Sequence, residues 1–182
     1  MDTYSVLFLC TGNSARSIMA EALLNHRGQG RFRAFSAGSF PKGAVHPLAI
    51  ETLERSGLAT DGLRSKSWNE FAGADAPRID FVVTVCDNAA AEPCPVWPGA
   101  PVTAHWGIAD PAAVAGADED RRRAFRSAFH ALDARIRTLV SLPPESLRRT
   151  DIRGRLNEIG AIDAGPATEP PSDTNPSAAP RR

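Results

Sequence analysis

Reactive residues concentrate near the start of this 182-residue chain, in Cys10-Thr11-Gly12-Asn13-Ser14-Ala15-Arg16-Ser17. A thiolate is the nucleophile that a thiol is not, and positive surroundings favour it. Arg16 brings a planar fork of donors suited to two oxygens of one oxyanion. Gly12 and Asn13 tolerate the left-handed backbone that a tight loop around an anion requires. Where such a loop joins a strand to a helix, its N–H groups converge at the helix N-terminus and form an oxyanion site. Ser17 adds a hydroxyl that can serve the Cys10 thiolate or a leaving group. Two more thiols follow, Cys86 and Cys94, in V-T-V-C-D-N-A-A-A-E-P-C-P. Taken alone, without Cys10 upstream, they read as buried, inert side chains. Asp110-Pro111 is by itself a turn or helix cap.

The flanking elements must place these residues. Val6 to Leu9 is a short apolar run of strand length, and Ala15 to Arg27 carries Ile18, Met19, Ala22 and Leu23 on one helical face up to Gly28. Arg31 to Ser36 predicts a second strand, and Pro47 to Ser56 a short helix with Pro at its start and Gly57 beyond its end. Ser67-Trp68-Asn69-Glu70 has the form of a capping box and predicts another short helix. Phe81 to Val85 is β-branched and apolar on both faces, as a central parallel strand would be. Val102 to Trp106 is a weaker strand. Asp118 to Ser141 predicts a long helix with Phe125, Phe129, Leu132, Ile136, Leu139 and Val140 on its apolar face. Strands alternating with helices imply an α/β fold with a parallel sheet. Cys10 and Cys86 then both lie at strand C-terminal ends, the edge where open α/β sheets hold their sites.

Composition narrows the function. Lys plus Arg and Asp plus Glu both number 21, so no overall basic field favours nucleic acid or an anionic membrane. The acid-then-base order from Asp118 to Arg123 suits a helix dipole rather than a nucleic-acid stripe. No apolar run reaches the about 18 residues of a membrane span, and no secretory signal precedes Val6. Three cysteines argue against a secreted disulfide scaffold, so a cytoplasmic location is expected. A zinc site from Cys86, Cys94 and His105 fits poorly, because seven residues separate the two cysteines where two to four are usual. The expected organisation is a domain over residues 1–142, an extra helix over 143–160 built on Leu147, Ile152, Leu156 and Ile159 and weakened by Gly154, and a disordered Pro-rich tail over 161–182.

The run V-L-F-L-C-T-G-N-S-A-R-S resembles the oxyanion loop of the low-molecular-weight protein tyrosine phosphatase superfamily. The resemblance covers about residues 5 to 141 and implies a small four-stranded parallel sheet flanked by helices. It implies that Asp110 is a general acid and that Thr11, Gly12, Asn13, Ser14, Ala15 and Arg16 bind the oxyanion. The blocks V-T-V-C-D-N…C-P-V-W-P and H-W-G-I-A-D-P are similar to the thiol-linked arsenate reductases of that superfamily. Ala112-Ala113 stand where the phosphatases commonly carry aromatic residues. That branch implies a relay: Cys10 attacks arsenate, Cys86 forms a disulfide with Cys10, and Cys94 takes the disulfide over. It needs no tightly bound cofactor, only an external reductant, thioredoxin or glutathione with glutaredoxin. Phosphate and sulfate would bind as arsenate analogues, and a monomer is expected. Two departures stand out. Ala15 replaces a second loop cysteine common in these families. Lys66 stands near the acidic position of a monovalent-cation site found behind the loop in some relatives, so Glu21 is expected to face Lys66 and a potassium site is doubtful. His105-Trp106 suits either support of the Asp110 loop or core packing. A phosphatase is the first alternative function, and a redox-regulated oxyanion-binding module without turnover is the second.

Overall fold

The computed structural model describes residues 3–148 and 150–163. Four parallel strands form one sheet in the order β2-β1-β3-β4: β1 Tyr4–Cys10, β2 Phe32–Gly38, β3 Phe81–Thr84 and β4 Val102–His105. The register places Cys10 opposite Gly38 and Leu9 opposite Thr84, and Thr84 opposite His105. The three reactive segments therefore leave the sheet from one edge.

Side chains alternate across a strand, and β1 uses both faces. Val6 and Phe8 join the larger core with α1 (Arg16–Arg27), α2 (Pro47–Arg55) and α4 (Asp118–Ser141). Leu7 and Leu9 join a smaller core of Ala37, Phe71, Ile79, Val82 and Trp97. The long helices thus gather on one face, while a single 3-10 turn (Trp68–Phe71) and the loop holding Trp97 cover the other. The short helix expected after Ser67 shrinks to that turn. Ser67 Oγ accepts from the Asn69 N–H, but Glu70 turns away to pair with both terminal nitrogens of Arg64 at 2.9 and 2.6 Å, so no capping box closes.

Beyond α4 the chain forms two helices rather than one, α5 (Pro144–Leu147) and α6 (Ile152–Gly160), with α3 (Asp87–Ala91) the short helix that follows β3. α5 ends at Leu147 and α6 begins at Ile152, and Gly154 lies inside α6 facing open space. Leu147, Ile152, Leu156 and Ile159 are all buried. α6 covers the β4 edge: the His105 N–H donates to Asn157 Oδ1 at 3.3 Å, and Trp106 Nε1 donates to the Leu156 carbonyl at 2.7 Å. That occupies an edge that would otherwise present unpaired backbone groups. Gly160 permits the approach, since a Cβ there would come within 2.4 Å of the His105 carbonyl oxygen. Residues 161–163 continue from α6, with the Ile162 carbonyl accepting from Arg135 Nε at 3.4 Å. The rest of the expected disordered tail lies outside the described residues.

Candidate active site

The loop from Cys10 to α1 is shaped by its neighbours. Asn13 has a φ of 42°, the left-handed turn that lets the chain curl around the Cys10 sulfur. At Gly38, where β2 ends, a Cβ would lie 2.4 Å from the Thr11 carbonyl oxygen, so only glycine lets β2 run this close beneath the loop. The loop carbonyls are taken up by the following segment: Phe40 N–H donates to Thr11, Lys42 N–H to Gly12 and His46 N–H to Ser14, at 2.8 to 3.0 Å. Those three bonds pin the loop to the segment that follows β2.

A directed hydrogen-bond chain ends on Cys10. The Lys66 N–H donates to Asn13 Oδ1 at 2.8 Å, which fixes the amide so that Asn13 Nδ2 donates to Ser17 Oγ at 2.9 Å. The Ser17 hydroxyl is then free to donate to Cys10 Sγ, 2.9 Å away, and the Asn13 N–H donates to the same sulfur at 3.2 Å. Asn13 and Ser17 are fully buried. Two donors aimed at one sulfur stabilise a thiolate more than a thiol.

Behind this chain sits the Lys66 ammonium, 3.4 Å from Glu21 Oε2 and 3.4 Å from Ser36 Oγ, with Ser36 donating to Glu21. Glu21 does face Lys66. Burial pulls the Lys66 pKa below the usual lysine range, against the opposing pull of Glu21. The ammonium also donates to the Arg64 carbonyl at 3.1 Å.

Arg16 leaves the first turn of α1 and reaches across the sheet edge. Its NH1 donates to the Ile108 carbonyl at 2.9 Å and its NH2 lies 3.5 Å from Asp110 Oδ2. Asp110 caps the 3-10 turn Pro111–Ala113 by accepting from the Ala112 N–H. Arg16, Cys86 and Asp110 line one cleft of about 450 Å³ together with Asp87, Asn88, Gly107, Ile108 and Ala109. Cys86 is buried and caps α3, accepting from the Ala89 N–H at 3.4 Å. Its sulfur lies 3.7 Å from Thr11 Oγ1, which donates to Glu92 Oε1 at 3.2 Å. Cys86 thus borders the cleft and lies against Thr11, the residue that follows Cys10, while Cys10 itself is buried at the end of β1 and does not line the cleft.

Cys94 stands apart. It is exposed, is absent from the cleft lining, and all three cysteines are free. Burial of its sulfur, and then the Glu92 carboxylate, push its thiol pKa up. Trp97 closes this segment by packing edge-on against Trp68 with 6.4 Å between ring centroids.

Several participants gave little sign in the sequence. Glu92 reads as an ordinary surface acid until the fold sets it between Thr11 and Cys94. The Ile108 carbonyl that holds Arg16 has no sequence signature at all. His105 bonds neither Asp110 nor a cysteine. Its Nε2 lies 2.9 Å from Asp87 Oδ1 and its Nδ1 2.8 Å from Thr84 Oγ1. Trp106 is core, packed on Phe8.

The sequence pattern of the family described as low molecular weight phosphotyrosine protein phosphatase matches residues 5–152. An arsenate reductase of Shouchella clausii strain KSM-K16 is 35% identical over 133 residues, covering 72% of this chain and 91% of its own length. The arsenate reductase of Archaeoglobus fulgidus superposes with a TM-score of 0.59 at 31% identity, covering 75% of this chain and 99% of that one. A thioredoxin-dependent arsenate reductase of Corynebacterium glutamicum superposes with a TM-score of 0.56 at 26% identity; 81% of this chain is covered, but it spans only 63% of that longer chain.

Proposed function

The chain belongs to the low molecular weight phosphotyrosine protein phosphatase family, and from that premise we propose that it reduces arsenate to arsenite through its three cysteines, in arsenic detoxification. The observation that carries this reading is the placement of Cys86. A phosphatase needs one nucleophile, whereas here a second thiol lines the cleft of Arg16 and Asp110. The arsenate reductases among its relatives support the same choice.

In this reading Thr11 to Arg16 grip the oxyanion, which draws Arg16 away from Asp110. The Cys10 thiolate attacks arsenic, an S–As bond forms, and an As–O bond breaks as Asp110 protonates the departing oxygen. Arsenic is still pentavalent at this point. The Cys86 thiolate then attacks Cys10 Sγ. A disulfide forms, the S–As bond breaks, and its electron pair stays on arsenic, which leaves as trivalent arsenite. Cys94 next attacks Cys86, and Cys10 departs as a thiolate ready for the next arsenate. An external dithiol of the thioredoxin type reduces the Cys86–Cys94 bond, with glutathione and glutaredoxin the other candidate. Residues 1–142 hold this chemistry, and α6 braces β4. The thiol cycle fits a reducing cytoplasm.

The test couples arsenate to NADPH oxidation through thioredoxin and its reductase, with glutaredoxin in a parallel arm and aryl phosphate hydrolysis measured beside them. Arsenate-dependent oxidation in either thiol arm is expected. Aryl phosphate hydrolysis with no arsenate turnover would establish the phosphatase instead, and Arg16-dependent phosphate binding with neither activity a binding module. Within the relay, Cys86→Ser stops arsenite release while keeping phosphate binding. Cys94→Ser completes one turnover and stalls at the Cys10–Cys86 disulfide, which mass spectrometry identifies.

A further inference from the structure

Cys86 is held from both sides. On its N-terminal side the Val85 N–H donates to the Leu9 carbonyl at 2.8 Å, and the Val85 carbonyl accepts from the Ile108 N–H at 3.0 Å. On its C-terminal side Asp87, the first residue of α3, accepts from His105, whose other ring nitrogen contacts Thr84 at the end of β3. His105 therefore spans the ends of the segment that contains Cys86. The neighbouring Gly107 leaves room for this pair: a Cβ there would lie 2.9 Å from His105 Nε2 and 3.0 Å from Asp87 Oδ1. Neither residue contacts Cys10, Arg16 or Asp110.

We propose that His105 and Asp87 are positioning residues, a clamp that holds Cys86 in the cleft until its disulfide passes to Cys94. The proposal rests on the three-cysteine relay. In the exchange it governs, the Cys94 thiolate attacks Cys86 Sγ, one S–S bond forms as the Cys10–Cys86 bond breaks, and Cys10 takes the electron pair. Disulfide geometry requires the Cα atoms of residues 86 and 94 to come within about 4.4–6.8 Å. α3 separates them, so its first turn must loosen at that step. A clamp made by a half-exposed imidazole and a largely exposed carboxylate is weak enough to open on each cycle.

The experiment measures iodoacetamide labelling of Cys86, by peptide mass spectrometry, in the reduced full-length chain without arsenate. Asp87→Ala and Gly107→Ala are expected to raise the Cys86 labelling rate about 2- to 5-fold. Gly107→Ala keeps every charge and removes only the fit. Asp87→Asn removes the charge but keeps an acceptor for the imidazole N–H, and should retain most of the protection. Equal rates in Asp87→Asn and Asp87→Ala would mean that the carboxylate acts on the thiol only through its charge, and would overturn the clamp. Unchanged labelling in Asp87→Ala would overturn it as well. Because arsenate is absent, failure of the relay and failure of the clamp are read separately.

Discussion

Ser17→Ala removes one hydroxyl at the end of the chain that runs from Lys66 through Asn13 to Cys10. The Cys10 sulfur loses the closer of the two donors described, at 2.9 Å, and keeps the Asn13 N–H at 3.2 Å. A hydrogen bond to a charged group contributes about 1.5–3 kcal/mol, so attack by the sulfur should slow when that donor is lost. Because a donor also damps the nucleophilicity of the sulfur it holds, roughly half of that effect is recovered, leaving a net loss of about 3- to 12-fold in attack rate. The same change leaves Asn13 Nδ2 without its acceptor in a fully buried position, which costs about 1–3 kcal/mol of stability. Iodoacetamide labelling of Cys10 at neutral pH reads the first effect, single-turnover arsenite release checks it on the substrate, and urea denaturation reads the second. Phosphate affinity should change little, since Arg16 and the loop amides remain. A folded Ser17→Ala protein that labels and turns over within twofold of wild type would refute the claim that Ser17 donates to the sulfur.

Arg16→Lys keeps a charge but loses the fork and its bond to the Ile108 carbonyl; phosphate affinity by calorimetry should fall about 10- to 100-fold. Burial and then Glu92 raise the Cys94 thiol pKa, so its attack on Cys86 should accelerate as pH rises through and above the ordinary thiol range. Glu92→Gln removes the carboxylate contribution and should move that profile to lower pH, seen as faster handover at neutral pH in stopped-flow quench experiments. Gly160→Ala forces α6 away from the His105 carbonyl and should cost about 1–3 kcal/mol in urea denaturation.

The long helices and the central strands were legible because periodicity reports burial. Phe125, Phe129, Leu132, Ile136 and Leu139 recur on one face of α4 and are buried there. The 3-10 turn at Trp68 was not legible as such, because Glu70 can reach either back to the Ser67 N–H or to Arg64 six residues upstream, and the spacing suits both. The break between α5 and α6 was also hidden, since the four apolar residues fit one helix as well as two.

By itself the sequence determined the chemistry at hand: a cysteine, a flexible loop and an arginine at one strand end, with two further thiols and an acid downstream. Those are properties of residue types and short spacings. Only the tertiary structure decided which groups meet. Parallel register brings the ends of β1, β3 and β4 to one edge, so that Arg16, Cys86 and Asp110, up to 94 positions apart in the chain, line one cleft while Cys94 stays outside. It also aimed the Asn13 amide through a backbone N–H 53 residues away. Hydrogen bonds act over about 3 Å of space without regard to chain separation. Their partners could therefore be settled only once the sheet had fixed where each loop leaves it.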